Sequence, residues 1–212
     1  MSLIQRFDVI HMCFLFGTAL FWSSWINTLK MTKGSRFEIY YLNFVFGVIL
    51  ALLLHLFFLY AKGYDVIYEI RNLWHKEFIL FSRAFFAGIL FNIANTLLVA
   101  SSVFAGIVPT FMTVFGAGLI ADQGIYSYEV IGDNTLLFFL SSLLLSSAIF
   151  WMFSLQKILR FSVAKRTLTL SCIAGIFVGL FYPLFDRALD PKDIQKLNPT
   201  LASTFLGTGI VF

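Results

Sequence analysis

Charge is scarce in this chain. Lys and Arg number 15 and Asp and Glu 11 among 212 residues, so charged residues make up 12% where soluble domains carry roughly a quarter. A soluble fold of this length needs polar side chains over most of its exterior, and a mean hydropathy of +0.88 leaves too few of them. Lipid is therefore the expected solvent for much of the chain. Histidine is also rare: His11, His55 and His75 stand far apart, and none has a Cys or carboxylate at ligand spacing, so no metal site is expected. No hydrolase triad, phosphate loop or cofactor motif can be assembled, which argues against an enzyme. Cys13 and Cys172 both fall inside apolar runs and behave as small hydrophobes. The net charge of +4 does not point to a nucleic-acid partner, because the basic residues are strung between apolar runs and form no stripe interleaved with aromatics.

What the chain has in abundance is long apolar stretches, with 59% hydrophobic residues and 27 Phe. A hydrocarbon core of about 30 Å needs about 20 apolar residues per helix. Six runs of that kind stand at 9–29, 39–61, 78–100, 103–121, 135–155 and 167–186. This is the pattern of an all-α transmembrane, polytopic helical bundle, with the first run read as an uncleaved span. A seventh run opens at Thr200 and is cut off at Phe212, which at 1.5 Å per residue reaches only about 20 Å; a fragment of a longer protein is the expectation.

The links carry information of their own. Only Ser101-Ser102 and their uncharged surroundings separate the third and fourth runs, which predicts a tight helical hairpin. The stretch from Ala61 to Glu77 is long and charged enough to hold a short interfacial helix ending at Trp74. The stretch 157–166, with Lys157, Arg160, Lys165 and Arg166 and no acid, reads as a basic linker between a first half, 1–156, and the start of a second, 167–212. Weak internal similarity supports that division: Phe21-Trp22 answers to Phe181-Tyr182, and Gly47-Val48-Ile49-Leu50 to Gly209-Ile210-Val211-Phe212. Halves with an odd number of spans insert with opposite orientation, the inverted-repeat architecture of many secondary transporters. Lys and Arg divide almost equally between the two sides, so the positive-inside rule gives no orientation.

Several polar and aromatic residues lie in or at the mouths of the runs. Trp22 and Trp25 share a helical face that could stack on a ring, although Trp25, Tyr40 and Tyr41 also suit an interfacial aromatic belt. Glu38 either pairs with Arg36 or Lys30 to seat the loop or serves coupling and gating at membrane depth. Asn92 and Asn95, three residues apart, share one face and must point into the bundle, as helix glue or as the lining of a polar cavity; Asn43 and His55 face the same choice. Gly175 and Gly179 form a small-xxx-small pair. Pro183 interrupts the sixth run beside Tyr182, where a midplane substrate site would use a kink.

The strings Phe21-Trp22-Ser23-Ser24-Trp25-Ile26-Asn27-Thr28-Leu29-Lys30 and Arg36-Phe37-Glu38-Ile39-Tyr40-Tyr41 resemble the G-S-W-x-N-T-x-K…W-R-F-E-L-F-Y signature of permeases in the drug/metabolite transporter superfamily, relatives of the bacterial glucose/ribose permeases and the plant ureide permeases. The stretch Gly88 to Ala100 is similar to that family's G-x-x-F-N-x-A-N-x-L-L-V-A span, and Gly179 to Pro183, Arg187-Ala188 and Asn198-Pro199-Thr200 are similar to the opening of its second half. Position 35, Trp in the signature, is Ser35. The resemblance implies ten helices in two inverted five-helix halves around a central cavity, in the inner or plasma membrane, of which this chain holds about six complete spans and part of a seventh. It implies a permease for a small, largely uncharged polar metabolite such as a sugar or a ureide or nucleobase derivative, with Trp22, Asn27, Asn43, Asn92, Asn95 and Tyr182 lining the cavity and Glu38, Arg36 and Lys30 coupling or gating. An exporter of amphiphilic compounds from the same superfamily and a non-transporting or inactive membrane fragment are the alternatives. The partners expected are the substrate and the lipid bilayer, with a coupling proton or cation and a second copy of the chain left open.

Overall fold

A computed structural model describes residues 37–130, 165–189, 197 and 199–212, together with single positions between 13 and 28 and between 140 and 154, the side chains of 37, 69, 72–77 and 126–130 apart. All regular structure among the described residues is helical. Five helices are continuous: α1 Phe37–Ala61, α2 Val66–Ala105, α3 Ile107–Val130, α4 Lys165–Asp186 and α5 Pro199–Val211. The chain divides into two compact units, Met1–Leu42 and Asn43–Phe212.

Among the described residues three helices are long and apolar enough to cross a membrane: Glu38–Ala61, Phe78–Ala105 and Lys165–Asp186. They coincide with the second, third and sixth apolar runs. Exposure supports the membrane reading, since Phe46, Leu50, Leu53, Leu54, Phe57 and Phe58 are all more than half exposed along α1. In water such a surface would be a large uncovered apolar patch, whereas in hydrocarbon it is the ordinary outside of a span. The fourth run becomes α3, whose threonines, glycines, Asp122 and Gln123 keep it out of that apolar group. The first and fifth runs fall mostly outside the described residues. At the described positions 13, 16–18, 20, 21, 24 and 28, and at 140, 143, 144, 147, 150, 151 and 154, the chain is helical.

Two local expectations are corrected. No separate interfacial helix precedes the third span: Asp65 caps a single 40-residue helix by accepting the Tyr68 N–H at 3.0 Å, and α2 runs on from Val66 into the membrane. At 1.5 Å per residue it is about 60 Å long, twice the hydrocarbon thickness. Nor does the chain turn at Ser101-Ser102. Both serines are buried inside α2, and the break comes at Gly106, whose φ of +85° suits glycine because it has no Cβ to clash. The Ser102 hydroxyl donates to the Leu98 carbonyl at 2.8 Å, so that serine is satisfied within the helix.

Within the second unit the contacts set the directions of the helices. Phe91 of α2 meets Phe181 of α4 with ring centroids 5.1 Å apart, and the Arg83 guanidinium lies 3.4 Å from the Arg187 carbonyl, so α2 and α4 are antiparallel. Gly175 of α4 lies against Val114, Ala117 and Gly118 of α3, and Gly179 against Gly118, Ala121 and Asp122, so α3 and α4 run in the same direction. It follows that α2 and α3 run oppositely, as the expected hairpin requires. Phe81 meets Phe205 at 4.6 Å and Phe85 meets Phe212 at 5.9 Å, which makes α2 and α5 parallel.

Helix α2 is the centre of this packing. Its buried residues Phe81, Ala84, Ala87, Gly88, Ala94, Asn95, Leu98 and Val99 recur at the three- and four-residue spacing of a helical stripe. At one end, Phe81 and Ala84 join Ala188, Leu197, Leu201 and Ala202 in a fully buried cluster. Glycine permits the closest approaches. A Cβ on Gly88 would strike the Leu206 carbonyl and lie 2.8 Å from the Gly209 Cα, and one on Gly179 would lie 2.7 Å from the Ala121 Cβ. Small residues at helix crossings bring backbones together where hydrocarbon supplies no hydrophobic drive for association.

Candidate functional site

Of the residues expected to line a cavity, Asn92 and Asn95 lie on α2 and Tyr182 on α4, within a turn of the Phe91–Phe181 contact between the two helices. Asn95 is 4% exposed, one turn beyond Phe91 on the stripe that α2 turns inward. An amide buried among apolar groups is costly unless it is used, so this position is set by packing or by a ligand and not by chance exposure. Asn92 is half-buried, and its backbone carbonyl accepts the Thr96 hydroxyl at 2.9 Å.

Tyr182 has an unusual place on α4. The buried residues of that helix include Ser171, Gly175 and Gly179, and Tyr182 lies seven positions after Gly175, on the same helical face. Yet it is 51% exposed. Tyr182 is thus an exposed member of a face whose other residues Ser171, Gly175 and Gly179 are buried. Beside it, Phe181 lies against Phe91 with the ring planes tilted by 57°, a contact between α2 and α4. Pro183 is buried within α4, and its missing N–H deprives the Gly179 carbonyl of its i+4 helical donor.

Asn43 is exposed on α1. In the first unit, Asn27 and Glu38 are exposed. The Thr28 and Tyr40 hydroxyls lie 2.9 Å apart, which joins the two signature strings by a hydrogen bond. Trp22, Lys30 and Arg36 lie outside the described residues.

Three interior polar groups were not expected from the sequence to be enclosed without a partner. Ser101 and Thr110 are buried on either side of the Gly106 turn, and neither hydroxyl has a hydrogen-bond partner. The Asp122 Oδ1 is likewise buried and unpartnered. Asp122 lies just past the end of the apolar run 103–121, and α3 continues through it to Val130. The available signal was its spacing: four residues after Gly118, it shares the face that Gly118 presents to α4. Among the described residues no group of His, Cys, Asp and Glu could hold a metal ion.

An apolar groove lies apart from these residues, between α2 and α5. Its volume is about 400 Å³, and Phe78, Phe81, Ser82, Phe85 and Phe86 line it from α2, with Phe205 and Thr208 from α5.

No family model, curated protein or solved structure matches the chain.

Proposed function

We propose that this chain is a membrane permease of the drug/metabolite transporter type, a carrier and not an enzyme, for a small, largely uncharged polar metabolite such as a sugar or a ureide. The observation that carries the reading is the pair formed by a buried amide, Asn95, and a half-exposed tyrosine on the otherwise buried stripe of α4. Amides and aromatic faces recognise hydroxyls, carbonyls and rings without net charge, and a solute site needs few such groups in an apolar surround. Asn92 adds a second amide on the same helix. Pro183 adds the kind of helix irregularity that midplane sites employ.

The directions of the helices support the wider architecture of six complete spans within a ten-helix inverted repeat. Because α3 and α4 run in the same direction, a chain that threads both through a bilayer has to return across it between Val130 and Lys165. The apolar run 135–155 has the length for that crossing. On this reading the protein is a multi-pass component of an inner or plasma membrane. On the same reading Asn27 belongs with the substrate-binding residues and Glu38, with Arg36 and Lys30, with coupling or gating; the two strings that carry them are joined through Thr28 and Tyr40.

The test is counterflow of radiolabelled glucose and allantoin in proteoliposomes containing the full-length protein. Saturable exchange of one of them is expected. Asn95→Leu should lower it at least about tenfold, the usual scale for removing a buried hydrogen-bonding group from a polar ligand's site. Absence of exchange for both solute classes, or undiminished exchange by a folded Asn95→Leu protein, would refute the proposal.

A further inference from the structure

The Phe-lined groove between α2 and α5 has features that the permease reading does not use. Its only polar side chains, Ser82 and Thr208, are committed to their own helices: the Ser82 hydroxyl donates to the Phe78 carbonyl at 2.8 Å and the Thr208 hydroxyl to the Phe205 carbonyl at 2.7 Å. The groove thus offers no free donor to a polar solute, and its occupant has to be apolar. It also lies at the start of an apolar stretch, because Lys76 and Glu77 are charged and the residues from Phe78 to Phe81 carry no charge.

The same face of α2 carries a charge just outside that boundary. Arg71 is exposed and lies seven residues before Phe78, eleven before Ser82 and fourteen before Phe85, spacings that return to one side of a helix. Seven residues of α-helix rise about 10 Å, which places the Arg71 position in the polar layer flanking the hydrocarbon. Tyr68, also exposed, stands on this side of the helix at headgroup depth, where tyrosine is favoured.

We propose that this face of α2 and α5 is a binding site for an anionic phospholipid, with an acyl chain in the Phe groove and the phosphate on Arg71. The groove selects for hydrocarbon and the cation for headgroup charge, so the two ends of one lipid meet two separate features in register along a single continuous helix. The site is independent of Asn92, Asn95 and Tyr182.

The experiment is native mass spectrometry of the full-length protein in detergent with dioleoylphosphatidylglycerol or dioleoylphosphatidylcholine added. Wild type should retain the glycerol lipid about fivefold over the choline lipid, the weight of one basic residue at an anionic surface. Arg71→Gln, at an exposed position, should abolish the preference while leaving residual binding of both. Ser82→Leu and, separately, Thr208→Leu should reduce adducts of both lipids by filling the groove. A photoreactive benzoylphenylalanine at position 86 should capture lipid. Equal retention of the two lipids by wild type, an unchanged preference in Arg71→Gln, full lipid retention in both groove variants, or capture of a second copy of the chain at position 86 would each overturn the proposal.

Discussion

Replacing Gly88 by alanine adds one methyl group at the crossing of α2 and α5, where the neighbours are backbone and not flexible side chains. The new Cβ would collide with the Leu206 carbonyl oxygen and stand 2.8 Å from the Gly209 Cα and 3.0 Å from its carbonyl carbon. None of these atoms can swing aside, so the two helices have to separate locally, and contacts such as Phe81 with Phe205 loosen with them. Overpacking of this kind costs about 1–3 kcal/mol, with the upper half expected when the obstruction is backbone. Against that, Ala is favoured over Gly within a helix by about 1 kcal/mol. The net destabilisation is about 1–2 kcal/mol, roughly a 5- to 30-fold fall in the folded-to-unfolded ratio. Reversible unfolding in mixed micelles titrated with dodecyl sulfate would measure it. The control is Gly47→Ala on α1, where a Cβ meets nothing within 4 Å and the helix preference should act alone. That variant should be neutral or more stable. Equal shifts for the two variants, or a stabilised Gly88→Ala protein, would refute the claim that glycine at this crossing serves close backbone approach.

The turn between α2 and α3 makes a separate demand. Gly106 has φ +85° and ψ 162°, a region closed to residues with a Cβ, so Gly106→Ala should cost about 1–3 kcal/mol in the same assay although nothing lies within 4 Å of the added methyl. The helix directions predict an accessibility pattern: in a background lacking Cys13 and Cys172, Val108→Cys and Arg166→Cys, near the starts of α3 and α4, should react with an impermeant thiol reagent from one side of the membrane, and Tyr64→Cys from the other. Labelling of positions 108 and 166 from opposite sides would contradict the parallel arrangement.

Some of this protein can be read from local composition alone. Whether a run such as 39–61 or 167–186 becomes a spanning helix depends on the apolar character of about 20 consecutive residues, which needs no partner to be evaluated, and α1 and α4 match those runs closely. The shared face of Asn92 and Asn95 is equally local, a consequence of helical periodicity. The tight hairpin after the third run was legible in its short, uncharged link, but the end of α2 was not, because Ser102 closes a hydrogen bond to the carbonyl one turn back and so remains in the helix. Gly106 ends the helix instead, through a backbone angle that hydropathy does not register. Charge misled in the same way at the start of α2, where Asp65 caps, and Arg71 belongs to, one continuous helix and not a separate interfacial piece.

What depends on neighbours could not be read this way. Asn95 is buried and Tyr182 half-exposed, a difference that their own helices' periodicity does not set, and Asp122 is drawn into the interior because α3 runs beside α4 at Gly118, Gly175 and Gly179. Hydropathy is a sum over adjacent residues and selects which segments enter lipid. The direction, register and facing of those segments are set by contacts between residues far apart in the chain, and these decide which polar groups are enclosed and which face remains open.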